Sequence, residues 1–191
     1  MKLYLITHAH TAQVPSLDAT RWKLSAQGIE QAEALAAQPF WDEVDCIVLS
    51  LEEKTRLTVD PVLATRDLNF FHDKRFNELK RGGWVEDYGA QVRQAFTMPD
   101  KPSGEWEPAA HGLERFLAGI ADLVVRCAGQ TVALVGHGLT LSLYRAYLLG
   151  QPQVKFEEWV ELSFASVALV DPVAVELHQD FGAVAGHMPR R

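Results

Sequence analysis

Short apolar runs alternate along the chain with longer segments in which apolar residues recur every three or four positions. The short runs are typical of buried strands, and the longer pattern is typical of helices that cover a sheet. The predicted strands are residues 3–6, 46–50, 130–136, 164–170 and 174–180, and the predicted helices are residues 24–36, 52–64, 108–128 and 140–149. This order predicts an α/β fold, a three-layer sandwich with a mostly parallel sheet flanked by helices.

The first predicted helix has the most regular pattern. Ser25 is its expected N-cap, and its apolar stripe comprises Ile29, Ala32, Leu35 and Ala36. The next predicted helix carries Lys54 in its first turn, so that this cation follows a strand end directly.

Two predicted strands end in histidine. The first leads into Thr7-His8-Ala9-His10-Thr11, and the third leads into Gly136-His137-Gly138. Ligands of open α/β sheets bind at the carboxyl ends of the strands. If these strands are parallel neighbours, His8 and His137 face each other across one crevice.

Residues 66–106 have no sustained periodicity and contain the turn-forming segments Gly82-Gly83-Trp84 and 99–102. We expect loops around one or two short helices here, forming a cap over the site within a single domain of residues 1–191. Residues 182–191 are expected to form a loose tail.

The composition is that of a globular protein, with 48% hydrophobic and 23% charged residues and a net charge of −7. An acidic chain argues against nucleic acid as a partner, and no apolar run reaches the roughly 18 residues that a membrane span needs. Cys46 and Cys127 have no metal-binding spacing, and we expect them to be buried thiols. Without a recognisable signal peptide, the expected location is the cytoplasm. An oligomer is compatible with the sequence.

Two facing histidines suit phosphoryl transfer. A neutral imidazole can attack phosphorus, while a second, protonated one stabilises the phosphoryl oxygens. Neighbouring cations and a proton donor for the leaving oxygen would complete such a site.

Six segments resemble, in order, the motifs of the histidine phosphatase superfamily, which includes metal-independent phosphoglycerate mutases and related phosphatases. The family motifs are an apolar pair with Arg-His-Gly, L-(S/T)-x-x-G-x-x-Q-A, S-P-L-x-R-A-x-Q-T-A, L-x-E-x-x-x-G-x-W, a helix with Glu and Arg, and Ser-His-Gly. Their counterparts here are residues 5–11, 24–32, 50–59, 76–84, 107–115 and 135–138.

The resemblance implies a role for each matching position. His8 would be the phosphorylated nucleophile, Glu78 the general acid, and His137 the residue that holds the transferring phosphoryl group. Thr7, Lys54 and Gly138 would bind the substrate phosphate. We expect Arg115 to be an ion-pair partner on its long helix.

The chain departs from the family motif at the phosphate clamp. Thr7 and Ala9 replace the Arg and Gly of Arg-His-Gly, and Lys54 replaces the second Arg. A lysine offers a point charge where arginine offers a two-pronged donor. Arg21, Lys23, Lys80 and Arg81 are candidate replacements for the missing cation.

The leading interpretation is a metal-independent phosphatase that acts on a small phosphomonoester through a phosphohistidine on His8, without a cofactor. The degenerate clamp leaves open an inactive family member that binds a phosphorylated ligand or a protein. A phosphoglycerate-type mutase is less favoured, because no extra basic groups are identified for a second phosphate. A metal-dependent hydrolase using His8 and His10 is also open.

Overall fold

The computed structural model describes residues 1–184, which form a six-stranded sheet and the helices that cover it. Three short 3₁₀ helices, Ala19–Arg21, Pro39–Glu43 and Lys74–Phe76, lie in the connections. The strands and helices, in chain order, are β1 (Lys2–Thr7), α1 (Ala26–Ala36), β2 (Cys46–Leu49), α2 (Glu53–Thr65), β3 (Asn69–His72), α3 (Tyr88–Thr97), α4 (Ala109–Arg126), β4 (Thr131–Gly136), α5 (Gly138–Leu148), α6 (Phe156–Glu161), β5 (Ser166–Asp171) and β6 (Glu176–Ala183).

The sheet order is β3-β2-β4-β1-β5-β6. The first four of these strands are mutually parallel, while β5 pairs antiparallel with β1 and β6 pairs antiparallel with β5. The prediction of a mostly parallel sheet flanked by helices is therefore confirmed. The parallel strands β1, β2 and β4 all end at the same edge, where the site lies.

Strand β1 joins the two halves of the core. Leu3 and Leu5 face one side of the sheet, and Tyr4 and Ile6 face the other, as the period of two in a strand requires. The first side is covered by α4 and α5, and the second by α1 and α2. The covering side chains include Phe116, Leu123, Leu141 and Tyr144 on one side and Leu35, Val59 and Val62 on the other.

Three sequence expectations differ from the structure. Residues 69–72 form the edge strand β3 inside the segment expected to hold only loops and short helices, and α6 was not predicted. Strand β6 extends to Ala183, so the start of the expected tail is regular structure. The rest of that tail, residues 185–191, lies outside the described residues. None of the helices described within residues 1–184 is long and apolar enough to cross a membrane.

Helix α1 packs against the loop after β1, which carries His8 and His10. The Ser25 hydroxyl accepts the Gly28 N–H at 3.1 Å, which confirms the expected N-cap. The buried face differs from the expected stripe, because Ile29 is 51% exposed while Gln31 is buried and accepts the His10 N–H at 2.8 Å. Gly28 faces the same loop, and a Cβ atom there would lie 1.9 Å from the His10 carbonyl oxygen.

We expect Gly28→Ala to lower the free energy of unfolding by about 1–3 kcal/mol, because backbone atoms must move to admit the methyl group. Urea denaturation measures this difference. Gly182→Ala is the matched control, since a Cβ atom at that position would meet nothing within 4 Å. Equal stability of the Gly28→Ala variant and the unmodified protein would contradict the close packing of α1 on the loop.

Candidate active site

His8 and His137 lie side by side at the carboxyl ends of β1 and β4. The parallel register sets Thr7 opposite Gly136, so the following residue on each strand reaches the same edge. The His8 N–H donates to the Gly136 carbonyl at 2.9 Å, and the two imidazole centroids are 5.3 Å apart. The structure thus brings together the two histidines that the sequence singled out.

A cavity of about 1240 Å³ opens beside these two rings. His8, His137, Lys54 and Glu78 all line it, so four of the six residues assigned to the site from sequence share one space. Both histidines are almost fully buried. A ligand in this cavity would meet two imidazoles, a cation and a carboxylate at once.

The His8 ring has a defined tautomer. Its Nδ1 lies 2.8 Å from the Ala9 carbonyl oxygen. Because a carbonyl oxygen only accepts hydrogen bonds, Nδ1 carries the proton and Nε2 carries the lone pair in the neutral ring. This leaves His8 with a nucleophilic nitrogen of the kind that covalent catalysis requires.

His137 is held by the polar end of β2. Its Nε2 lies 2.7 Å from the Ser50 hydroxyl and 3.6 Å from the Glu52 carboxylate. Ser50 also accepts the Glu52 N–H, so one hydroxyl positions both the histidine and the start of the loop before α2.

Glu78 is fixed at the N-terminus of α5. Its two carboxylate oxygens accept the backbone N–H groups of Leu139 and Thr140, at 3.0 Å and 3.1 Å. These are N–H groups that no partner within the helix can satisfy, so the start of α5 fixes both oxygens of the side chain in place. The 66–106 segment therefore carries this carboxylate to the strand end that also holds His137.

Lys54 forms a buried ion pair with Glu52. Its Nζ lies 2.6 Å from the carboxylate, and the two side chains are only 2% and 4% exposed. Burial lowers the pKa of Lys54, although Glu52 opposes that effect. Burial would raise the pKa of Glu52, but the charges of Lys54 and Arg81 outweigh it and hold this pKa below its usual value. Much of the positive charge of Lys54 is therefore neutralised within the protein.

Glu52 is a site residue that sequence reasoning missed. It replaces an apolar position of the Ser-Pro-Leu motif, and its carboxylate also accepts the Glu78 N–H at 2.8 Å. The signal available in the sequence is an acidic residue two positions before Lys54, at the start of a predicted helix.

Arg81 supplies a second cation to the cavity. Its guanidinium donates to the Tyr88 hydroxyl at 2.8 Å and lies 5.6 Å from the centre of the Tyr88 ring. Desolvation opposes its charge, but Tyr88, Glu78 and Glu52 more than offset this and raise its pKa. Among the four candidate replacements for the missing arginine, all within the described chain, Arg81 is the one that lines the cavity.

Phe164 covers the histidines from the loop before β5. Its ring centroid is 5.5 Å from that of His8 and 5.0 Å from that of His10. This phenylalanine lines the cavity and provides an apolar wall beside His8. It lies far along the chain from the histidine motifs, so the sequence offered no signal for it.

The family model of the histidine phosphatase superfamily (branch 1) matches residues 3–174. The chain belongs to the histidine phosphatase superfamily. A curated relative, the adenosylcobalamin/alpha-ribazole phosphatase of Escherichia coli (strain K12), is 28% identical over 168 residues, which are 80% of this chain and 81% of that protein. The fold predicted from the sequence motifs is that of this superfamily.

Solved structures share the fold over almost the whole chain. Bacillus stearothermophilus YhfR aligns with a TM-score of 0.80 and 20% identity, covering 97% of this chain and 98% of that one. A mycobacterial glucosyl-3-phosphoglycerate phosphatase in complex with VO3 aligns with a TM-score of 0.78 and 21% identity, covering 95% and 98%. The alpha-ribazole phosphatase of Shigella flexneri gives 0.74 and 23%, covering 96% of each chain.

Two residues assigned to phosphate binding from the superfamily motif do not line the cavity. The Thr7 hydroxyl donates to the Ser163 carbonyl at 2.9 Å and accepts the Ser166 N–H at 3.0 Å, which ties β1 to β5. Gly138 is the buried first residue of α5, and its carbonyl accepts the Ser142 hydroxyl. Both residues thus contribute to the packing of the strand ends, and their assignment to the substrate phosphate stays a prediction.

His10 is the second histidine of the metal-dependent alternative. Its Nδ1 lies 2.7 Å from the Ser25 hydroxyl at the start of α1, although the residue does line the cavity. Within residues 1–184, no group of three or more His, Cys, Asp or Glu side chains is arranged to hold a metal ion.

Arg115 braces the segment that carries Glu78. Its guanidinium donates to the carbonyl oxygens of Arg75, Asn77 and Glu78, at 2.6–2.8 Å, and pairs with Glu107 at 3.0 Å. Arg115 therefore acts on the backbone, as the expectation of an ion-pair role anticipated, and is a positioning residue for Glu78.

We expect Arg115→Lys to lower the free energy of unfolding by about 1–3 kcal/mol, because an ammonium cannot satisfy the three carbonyl oxygens and Glu107 together. Thermal or urea unfolding measures this loss. Arg56→Lys is the matched control, because Arg56 forms an exposed ion pair with Asp60. An Arg115→Lys variant as stable as Arg56→Lys would contradict the bracing role.

Proposed function

We propose that the protein is a metal-independent phosphatase that hydrolyses a small phosphomonoester through a phosphohistidine on His8. The observation that carries this proposal is the pair of imidazoles, 5.3 Å apart, in a cavity that Lys54 and Glu78 also line. The phosphatase names of the curated relative and of several structural neighbours support the same reaction class.

The first step transfers the phosphoryl group to the protein. The Nε2 lone pair of His8 forms a bond to phosphorus, the P–O ester bond breaks, and the leaving oxygen takes a proton from the Glu78 carboxyl group. His137, Lys54 and Arg81 donate hydrogen bonds to the phosphoryl oxygens, whose charge the transition state spreads.

The second step returns the protein to its starting state. Water attacks phosphorus and gives a proton to the Glu78 carboxylate, while the P–N bond breaks and its electron pair returns to Nε2. Inorganic phosphate leaves the cavity. One carboxyl group thus acts as acid and then as base, as reversal of the proton transfer requires.

Hydrolysis of 4-nitrophenyl phosphate in the presence of EDTA tests the reaction class. We expect turnover to survive the chelator, because every step uses side chains of the chain itself. Turnover that vanishes with EDTA and returns with added zinc would contradict the proposal and favour the metal-dependent hydrolase.

The buried Lys54–Glu52 pair favours a second candidate, a catalytically silent family member that binds a phosphorylated ligand. The neutralised lysine, together with Thr7 and Ala9 in the first motif, weakens the positive clamp that phosphoryl transfer needs. Calorimetric titration with phosphate separates the two candidates, since the silent protein would bind phosphate without hydrolysing 4-nitrophenyl phosphate.

A further inference from the structure

Six aromatic side chains line the cavity in addition to its histidines. Of the five tryptophans in the chain, Trp22, Trp84, Trp106 and Trp159 line it, together with Tyr88 and Phe164. Its volume of about 1240 Å³ exceeds the roughly 300–1,000 Å³ of ordinary small-molecule sites. A phosphate or a three-carbon phospho-acid would leave most of this space unfilled.

Trp22 and Trp84 meet at 6.3 Å between ring centroids, with an angle of 56° between their planes. Trp22 belongs to the loop after β1, and Trp84 belongs to the irregular stretch before α3. The two rings therefore connect the loop of the nucleophile with the loop that follows Glu78. A ligand held by this pair would touch both loops.

Trp22 is fixed and close to the phosphate end of the cavity. Its indole N–H donates to the carbonyl oxygens of Val14 and Leu17, and its ring centre lies 5.9 Å from the Lys54 ammonium. Trp84, in contrast, leaves 50% of its surface exposed. A large aromatic ring that remains open beside an anchored one is an available stacking surface for a flat group.

The charged side chains around the cavity restrict the charge that a stacked flat group can carry. Asp18, Glu86 and Asp87 line it, whereas the lysine and arginine residues of the described chain that line it are Lys54 and Arg81. Both cations interact electrostatically with Glu52 and Glu78. A second negative charge on the substrate, away from the phosphate, would meet acidic side chains without a matching cation.

We propose that the substrate is a phosphomonoester whose leaving group bears a flat aromatic ring, uncharged or cationic, that stacks on Trp22 and Trp84. That this ligand is a substrate rests on the proposed phosphatase function. The stacking subsite itself is a claim about binding alone. It assigns Trp22 and Trp84 as specificity-determining residues and disfavours phospho-acids and polyphosphates.

Binding to the His8→Asn variant tests the subsite without turnover. Adenosine 5′-monophosphate and ribose 5-phosphate share the sugar phosphate and differ in the aromatic base, so calorimetry on both isolates the stacking contribution. We expect the nucleotide to bind about 5- to 140-fold more tightly, the range that stacking of one base on aromatic side chains gives.

Substitutions at the subsite should change the ratio of the two affinities, nucleotide over ribose 5-phosphate, in a defined way. We expect Trp84→Leu to bring it close to one and Trp84→Phe to keep most of it, since phenylalanine retains an aromatic face. Phe70→Leu is the matched control, because Phe70 is a partly exposed ring on β3 that does not line the cavity. It should leave the ratio unchanged.

A charged probe tests the acidic surroundings. Phenyl phosphate should bind the His8→Asn variant more tightly than 4-carboxyphenyl phosphate, and Glu86→Gln should narrow that difference. Equal affinities for this pair would overturn the charge restriction.

Equal affinities for the nucleotide and ribose 5-phosphate, or a ratio that survives both Trp22→Leu and Trp84→Leu, would overturn the stacking subsite. The proposed function fails separately. If the unmodified protein hydrolyses no phosphomonoester while the binding ratio holds, the subsite stands and the phosphatase proposal falls. If 4-nitrophenyl phosphate is hydrolysed and the affinity ratio is near one, the phosphatase proposal stands and the stacking subsite falls.

Discussion

Replacing His8 with asparagine is expected to abolish hydrolysis of 4-nitrophenyl phosphate, with a loss of at least about 10³-fold in kcat. The Nε2 atom is the group that bonds to phosphorus in the proposed route, and loss of a covalent nucleophile costs roughly 10⁶-fold in a well-studied hydrolase. We state a smaller bound because the partly neutralised clamp lowers the starting rate. Steady-state kinetics on the purified variant measures the effect.

His111→Asn is the matched control for this experiment, because His111 lies exposed on α4 away from the cavity. It should hydrolyse the substrate at the unmodified rate. Phosphate binding should persist in the His8→Asn variant, since His137, Lys54 and Arg81 remain. A His8→Asn variant that retains more than a tenth of the original kcat would contradict the nucleophilic role.

Replacing Glu52 with glutamine is expected to lower the free energy of unfolding by about 3–5 kcal/mol, the usual cost of leaving one member of a buried ion pair uncompensated. Glutamine keeps the size and an acceptor for the Glu78 N–H but removes the charge that faces Lys54. Urea denaturation at neutral pH measures the loss, and Glu53→Gln, which removes an exposed carboxylate beside it, is the control.

Added phosphate should restore part of the free energy of unfolding that the Glu52→Gln variant loses. The unpaired Lys54 ammonium would then bind a phosphate dianion more tightly than the unmodified protein does, so added phosphate should stabilise Glu52→Gln more. The double variant Glu52→Gln, Lys54→Met should recover stability in the absence of phosphate. It should also lose the additional stabilisation by phosphate. If phosphate stabilises Glu52→Gln no more than the unmodified protein, Lys54 does not face the phosphate.

The stability difference should also depend on pH. Because Lys54 and Arg81 hold the pKa of Glu52 below its usual value, its charge stabilises the folded state fully at pH values above the unfolded-state pKa of about 4.3. That contribution is lost as the pH falls through the lower, folded-state pKa. The unmodified protein and Glu52→Gln should therefore converge in stability under strongly acidic conditions.

The sequence was sufficient to predict the strands β1, β2 and β4 and the histidine pair at their ends. The apolar runs of β1, β2 and β4 are buried on both faces, and each stops at the polar residues that form the site. Parallel strands place such ends at one edge, so the positions of His8 and His137 follow from where the runs stop. The motif around Glu78 placed this carboxylate near them, because its spacing to Trp84 matched a known segment.

Side-chain direction was one source of difficulty. Thr7 is adjacent to His8, but its hydroxyl is bonded to Ser163 and Ser166. A motif position alone does not show this direction. The same limit applies to Ile29. The helical period placed it on the buried face of α1, but the residue buried against the neighbouring loop is Gln31.

Pairing between distant segments was the second source of error. Strand β3 contains exposed aromatic residues and only four positions, so it lacks the alternation that would identify a strand in isolation. Its pairing with β2 defines it. The hydrogen bond from the Glu78 N–H to Glu52 and the contact of Phe164 with His8 likewise depend on tertiary packing that a linear pattern does not contain.

The stereochemical course at phosphorus tests the covalent route most directly. The substrate is a phenyl phosphorothioate made chiral at phosphorus by its sulfur and two oxygen isotopes, hydrolysed in water that supplies the third isotope. Attack by His8 followed by attack of water inverts phosphorus twice, so we expect inorganic thiophosphate with overall retention. Overall inversion would show a single direct displacement by water and would contradict a phosphohistidine intermediate.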